Sequence, residues 1–178
     1  MAKLATYQIA FKGLAPGTHA FNYQIDKKFF DYFDGGIADD GNVAVTVMLE
    51  KESALMILRI TVNGTVKVAC DRCLELYDQP VNSENTVFVK FGGEKETNEG
   101  DDVIWVDPAN GLINVAKMIY DFIILSIPIR QVHPDDKNGN STCNPEMMKI
   151  LNHLSLPDQS GETHDTRWNG LKKLLENN

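Results

Sequence analysis

Basic charge is in short supply. Among 178 residues, 17 Lys and Arg stand against 25 Asp and Glu, a net charge of −8. A chain that wraps a nucleic-acid backbone over its whole surface needs clustered cations to displace counterions, so that class is excluded, whereas a local basic patch is not. Long apolar runs are also missing. Stretches such as Ile123-Ile124-Leu125 are far too short to cross a bilayer, and Met1 to Tyr7 lacks the apolar centre of a signal peptide. Both absences point to the cytoplasm and away from a membrane. Cysteine is scarce. Three cannot all pair, and in a reducing compartment neighbours such as Cys70 and Cys73 suit a metal or redox site better than a structural disulfide. The usual phosphate-cradling glycine loops and a G-x-S-x-G elbow are absent, which removes the familiar nucleotide sites and one familiar nucleophile.

What is present is the pattern of a folded chain. Val43, Val45, Val47 and Leu49 fall on one face of a strand, and Met56, Leu58, Ile60 and Val62 on one face of the next. Asn63-Gly64 has the composition of a type I′ hairpin turn leading into Thr65–Cys70, and Thr86–Phe91 supplies another strand after the segment around Pro80. Earlier in the chain, residues 5–11 and 20–25 alternate like two strands joined through the turn-rich stretch 13–17, and Lys27–Phe33 suits a short aromatic helix. After a polar, acidic loop at 92–102, Val103–Val106 reads as a short strand. Leu112, Val115, Ala116, Ile119, Phe122 and Ile123 then follow helical spacing up to the stop at Pro128. A second helix over Pro145–Leu154 has Asn144 as its N-cap and Pro145 at its first position. The expected fold is α+β: an antiparallel β-meander able to curl toward a barrel, covered by one main helix, with short C-terminal helices. Residues 1–156 form one domain on this reading. Residues 157–178 form a linker and an amphipathic helix with Trp168, Leu171, Leu174 and Leu175 on one stripe.

Chemistry concentrates at Cys70-Asp71-Arg72-Cys73. A C-x2-C knuckle at a strand end supplies two thiolates of a tetrahedral zinc site, and Cys143 and His133, which flank one loop rich in Asp, Asn and Gly, are the candidates for the other two ligands. The alternative is structural, with Cys70 in the core, Cys73 facing solvent and Cys143 merely preceding a helix. A thioredoxin-like motif would need a helix N-terminus after a parallel strand, which this pattern does not offer. Arg72, between the two cysteines, is placed for bidentate contact with phosphate or carboxylate, or for a surface pair with Asp71 or Glu75. Lys67 lies on the exposed face of the same strand. The acidic pairs Asp39-Asp40, Asp101-Asp102 and Asp135-Asp136 read as solvated turns.

Cys70-Asp71-Arg72-Cys73-Leu74 after a meander, the helix ending Ile124-Leu125-Ser126-Ile127-Pro128, Val132-His133, Cys143 and the ending Asp165-Thr166-Arg167-Trp168 to Leu171-Lys172-Lys173-Leu174 resemble the YceD family. Its members are described as large ribosomal RNA subunit accumulation proteins. Thr166 stands where that family usually has proline, and the extra cysteine pairs of some members are missing here. The resemblance implies a role in accumulating large-subunit ribosomal RNA, with zinc as the candidate cofactor. Large-subunit ribosomal RNA or a ribosomal protein is the expected partner, and Lys67, Arg72, Arg167, Trp168, Lys172 and Lys173 are the candidate contacts. The negative charge favours a protein contact with at most a small RNA footprint. A zinc- or thiol-dependent enzyme of RNA metabolism is the competing class, against which stands the lack of an acid, base and nucleophile constellation.

Overall fold

The computed structural model describes residues 2–33, 36–92 and 102–154. Its centre is a five-stranded sheet of β2 (Gly17–Ile25), β3 (Gly41–Lys51), β4 (Leu55–Ala69), β5 (Leu76–Phe91) and β6 (Val103–Val106), in that spatial order. The first four strands run antiparallel as a meander, and β6 joins β5 in parallel. The sheet is therefore open, with β2 and β6 at its edges, and is not closed into a barrel.

Alternating side chains divide the sheet into two faces. Val43, Val45, Val47 and Leu49 on β3 and Met56, Leu58, Ile60 and Val62 on β4 are buried together, as their period-two spacing predicts. Burying each such aliphatic side chain contributes about 1.5–3 kcal/mol, so this inner face dominates stability. The helix α2 (Ala116–Leu125) lays Ala116, Ile119 and Ile123 into the same core. Asn114 Oδ1 accepts from the Ala116 amide at 2.9 Å and starts the helix. At the other end the Ser126 amide bonds Phe122 O, and Pro128 prevents continuation. The helix begins later than its apolar spacing predicts. Leu112 is exposed, and Ile113–Asn114 forms a short strand, β7, before α2.

Several local expectations are corrected. Residues 5–11 do not form a strand beside β2. A 3-10 segment over Ala2–Tyr7 leads into a two-residue strand, β1 (Gln8–Ile9), which pairs with β7, and the Val115 amide donates to Tyr7 O. This segment therefore ties to the start of α2, burying Ile9 and Phe11 there. The expected helix at 27–33 is one turn, α1 (Lys27–Phe30), with Phe29 and Phe30 buried.

Asn63-Gly64 is not a turn. β4 runs straight through it, with Asn63 opposite Ala44 on one side and Asn82 on the other. A side chain at Gly64 would drive its Cβ into the Asn42 carbonyl and to 2.6 Å from Val43 Cα, so glycine is there to let β3 cross closely. Beyond that crossing β3 ends, and β4 and β5, whose register holds for fifteen consecutive pairs from Leu55↔Lys90 to Ala69↔Leu76, continue as a two-stranded arm. Pro80 lies inside β5, which is compatible because the proline sits on its free side. The Phe88 amide points toward β6, donating to Asp102 O at 2.8 Å. With unbroken alternation the position of the missing Pro80 N–H points the same way, into the stretch β6 does not reach. The amphipathic helix expected over 165–178 lies outside the described residues.

Candidate metal centre

The tip of the β4–β5 arm is the knuckle itself. The Cys70 amide donates to Glu75 O and the Leu74 amide to Cys70 O, both at 2.9 Å. Leu74 takes up a left-handed backbone, φ 61°, which closes the turn at a cost of about 1–2 kcal/mol for a residue with a Cβ. Asp71 fastens this tip to the segment returning from α2. Its amide donates to Gln131 O and its carboxylate accepts from the Gln131 amide, each at 2.7 Å. That pairing carries His133 to the knuckle.

From His133 the chain makes a tight excursion and returns at Cys143. Asp136 organises it, with its carboxylate accepting from the amides of Asn138 and Asn140 and from the Asn140 side chain. The Asn140 backbone and side-chain donors hold the Asp136 carboxyl below its ordinary range, so it stays ionised. Asn144 ends the excursion as the predicted N-cap of α3 (Pro145–Leu154). Its Oδ1 accepts from the Glu146 amide at 2.9 Å, while its Nδ2 donates to Glu75 at 2.7 Å.

The outcome is a convergence of Cys70, Cys73, His133 and Cys143, whose ligand atoms all lie within 4.8 Å of one another and could hold a metal ion. Cys70 Sγ is 3.7 Å from Cys143 Sγ. His133 Nδ1 stands 3.4 Å from Cys73 Sγ and 3.8 Å from Cys143 Sγ. Ligands bound to zinc at about 2.3 Å for sulfur and about 2.0 Å for nitrogen stand about 3.8 Å apart as sulfur pairs and about 3.5 Å as sulfur–nitrogen pairs at tetrahedral angles. Three of the six separations lie close to those edges and all six are within 4.8 Å, so the donor set could hold a tetrahedral metal. All three cysteines are buried, including Cys73, so the structural alternative that turned Cys73 to solvent does not describe this chain.

The electrostatics differ between the two knuckle thiols. Burial pushes the Cys70 thiol up, but N–H donors from the backbone of Cys73, Arg72 and His133 and from the His133 side chain outweigh it and bring the thiol down to about 5. Cys73 is raised, by burial first and by the neighbouring Cys70 and Cys143 sulfurs. The Tyr77 ring packs 4.7 Å from the His133 ring, and its hydroxyl donates to Gln79 Oε1.

Of the candidate contact residues, Arg72 is at the centre. Its Nη2 donates to Ser141 Oγ at 3.2 Å, while Nε is buried with no hydrogen-bond partner among the described residues. It pairs with neither Asp71 nor Glu75, which are occupied by Gln131 and Asn144. Lys67 is exposed further down the arm and forms a 3.3 Å ion pair with Asp78. Arg167, Trp168, Lys172 and Lys173 lie outside the described residues. Sequence reasoning missed Asp71 and Tyr77. Only the pairing of the arm with 131–133 reveals Asp71, whereas reading β5 from Leu76 would have placed Tyr77 opposite Val68, two residues from Cys70.

Among the described residues no helix is long and apolar enough to cross a membrane. No curated protein and no solved structure matches the chain. Residues 58–175, which begin inside β4 and include all four ligand positions, match the family model described as large ribosomal RNA subunit accumulation protein YceD. With that match over most of its length, the chain belongs to the YceD family.

Proposed function

We propose that this protein is a non-catalytic ribosome-biogenesis factor of the cytoplasm, promoting accumulation of large-subunit ribosomal RNA by binding that RNA, a large-subunit ribosomal protein, or both. The family's description supports the general role in ribosome biogenesis. The observation that carries the finer reading is the four-ligand convergence at the tip of the arm. Zinc bound by Cys70, Cys73, His133 and Cys143 would have its tetrahedron filled by protein and no position left for an activated water, which is the arrangement of a structural rather than a catalytic site. Its chemistry is then to fix two loops and, with them, Arg72. Three thiolates and a neutral imidazole around a divalent ion leave one negative charge, and Arg72 supplies a positive one from between Cys70 and Cys73 in the chain. Arg72 and, lower on the arm, Lys67 present the cationic contact surface of an otherwise acidic protein. In the C-terminal segment, Arg167, Trp168, Lys172 and Lys173 supply further contacts to the same partner.

Affinity capture of the full chain from lysate at moderate salt, with RNA and protein identified before and after nuclease, tests this. Large-subunit precursor RNA or large-subunit proteins are expected in the capture, and Arg72→Ala should reduce the yield severalfold without changing the melting temperature. Zinc should be present at one equivalent in protein purified without chelator. Capture of neither component, or hydrolysis of RNA by the pure protein that Cys143→Ser abolishes, would overturn the proposal.

A further inference from the structure

The outer face of the sheet is not covered by α2, whose buried residues enter the opposite, inner face. Every outer side chain of β3, β4 and β5 is exposed or half-buried. At the end of this face remote from the metal centre, the register sets Ile57 beside Phe88, Phe88 beside Val103, and Lys90 beside Trp105. Phe88 is 40% exposed although it lies in the middle of a sheet. By strand geometry the Cα atoms of Phe88 and Trp105, diagonal neighbours on adjacent strands, stand about 8 Å apart. Lys90 Nζ lies 5.6 Å from the centre of the Trp105 ring, and Arg59, one residue pair away on β4, is held by Glu50 at 3.7 Å. Next along the face come Thr61, Asn63 and Asn82, and their side chains make no hydrogen bond to another described residue.

We infer that this outer face binds single-stranded RNA, with Phe88 and Trp105 as stacking surfaces for two bases. The inference rests on the proposed action on large-subunit ribosomal RNA and names where and in what form RNA is held. The exposed Phe88 ring and the half-buried Trp105 ring on the neighbouring edge strand suit unpaired bases, which can stack there, whereas the bases of an A-form duplex are already stacked and its deep groove is closed to side chains. Arg59 and Lys90 flank the rings where phosphates would pass. Thr61, Asn63 and Asn82 offer donors and acceptors to base edges and ribose hydroxyls. A protein partner would bury a patch depleted of lysine and acid, whereas here Lys90 stands over the Trp105 ring. Across the whole face Arg59, Lys67 and Lys90 are balanced by Glu50, Asp78 and Glu84. Stacking rather than net charge must therefore supply the affinity. With about two phosphates engaged, the logarithm of the binding constant should fall with the logarithm of salt at a slope of about −1.4, shallow for an RNA-binding protein.

The test is anisotropy of a labelled single-stranded 12-nucleotide RNA titrated with the full chain, beside the same sequence as a duplex. Phe88→Ala and Trp105→Ala should each weaken binding at least about fivefold, and Phe88→Tyr should retain it. Lys117→Ala, on the exposed side of α2, should leave this binding unchanged, and melting curves should show each variant folded. Should either alanine variant unfold, Phe88→Leu and Trp105→Leu, which keep apolar bulk without a flat ring, carry the same test. The inference is overturned by full-strength binding in both ring variants, by a preference for the duplex, or by no binding of the single strand. If one of these occurs while lysate capture still recovers large-subunit precursors, the platform falls and the assembly role stands. If capture recovers nothing either, both fall.

Discussion

The two ends of the long β4–β5 hairpin are held by different means. Over residues 55–66 the strands are flanked by β3 and backed by α2, and their inward side chains are fully buried aliphatics. Beyond Gly41, where β3 stops, each strand of the arm pairs, among the described residues, only with the other, and its inward positions lead to Tyr77, Cys70 and Cys73. The body is stabilised by apolar area, which accumulates over many residues. At the tip, hydrogen bonds through Asp71, Asp136 and Asn144 hold two loops around the four converging side chains. Stability is therefore unevenly distributed along one hairpin, and the tip can loosen while the body stays folded.

The largest effect should come from the body. Leu58→Ala empties a fully buried position in the middle of β4 and should cost about 2–5 kcal/mol, read as a loss of the urea or thermal unfolding midpoint of the whole chain. An effect confined to the tip would break the comparison. Next in size is the local response to chelation or to Cys143→Ser. Hydrogen exchange should accelerate more than about tenfold at the amides of Asp71 and Leu74, with Ile60 and Val62 changing far less. Equal acceleration at both ends would mean that the hairpin is a single cooperative unit.

The smallest effect sharpens the description of the tip. In metal-free protein Cys70 is lowered from 9.0 to about 5, so its contribution to stability is complete above the unfolded value near 9.0 and is lost as pH falls through about 5. Cys73 is raised and works in the opposite sense, favouring the fold at pH below its unfolded value and weakening it as pH rises. Thiolate absorbance of the metal-free chain should show one group titrating near pH 5. Cys70→Ser should remove that step, and Cys73→Ser should keep it. Retention of the step in Cys70→Ser would assign the low-lying thiolate elsewhere.

What the amino-acid sequence revealed follows the same division. The inner face was legible because alternation over Val43–Leu49 and Met56–Val62 is a one-dimensional signal of a two-sided sheet. The convergence of Cys70, Cys73, His133 and Cys143 was legible from their chemistry, since a C-x2-C knuckle calls for two further donors of the same kinds. Asn63-Gly64 misled because glycine serves a tight turn and a close strand crossing equally well, and only the backbone of Asn42 and Val43 decides between them. The first half of β5 was hidden by its polar residues and Pro80, which are acceptable because β4 pairs on one side only. Segment 5–11 alternates as a strand would, yet its two paired residues find β7, more than a hundred residues away. Phe88 and Trp105 belong to different strands, so their adjacency exists only once the parallel register of β6 is known.

The free side of β5 has one more consequence, for self-association. An unpaired strand edge is an invitation to a second copy of the chain, and among the described residues β5 has no partner on this side before Phe88. Pro80 removes a donor where such a copy would need one, Gln79 already occupies the Pro80 carbonyl, and Asp78 and Glu84 flank the gap with like charge against an identical strand. The edge is thereby made inhospitable to cross-strand polymerisation, and an extended sheet can stay open to a different partner without recruiting its own kind.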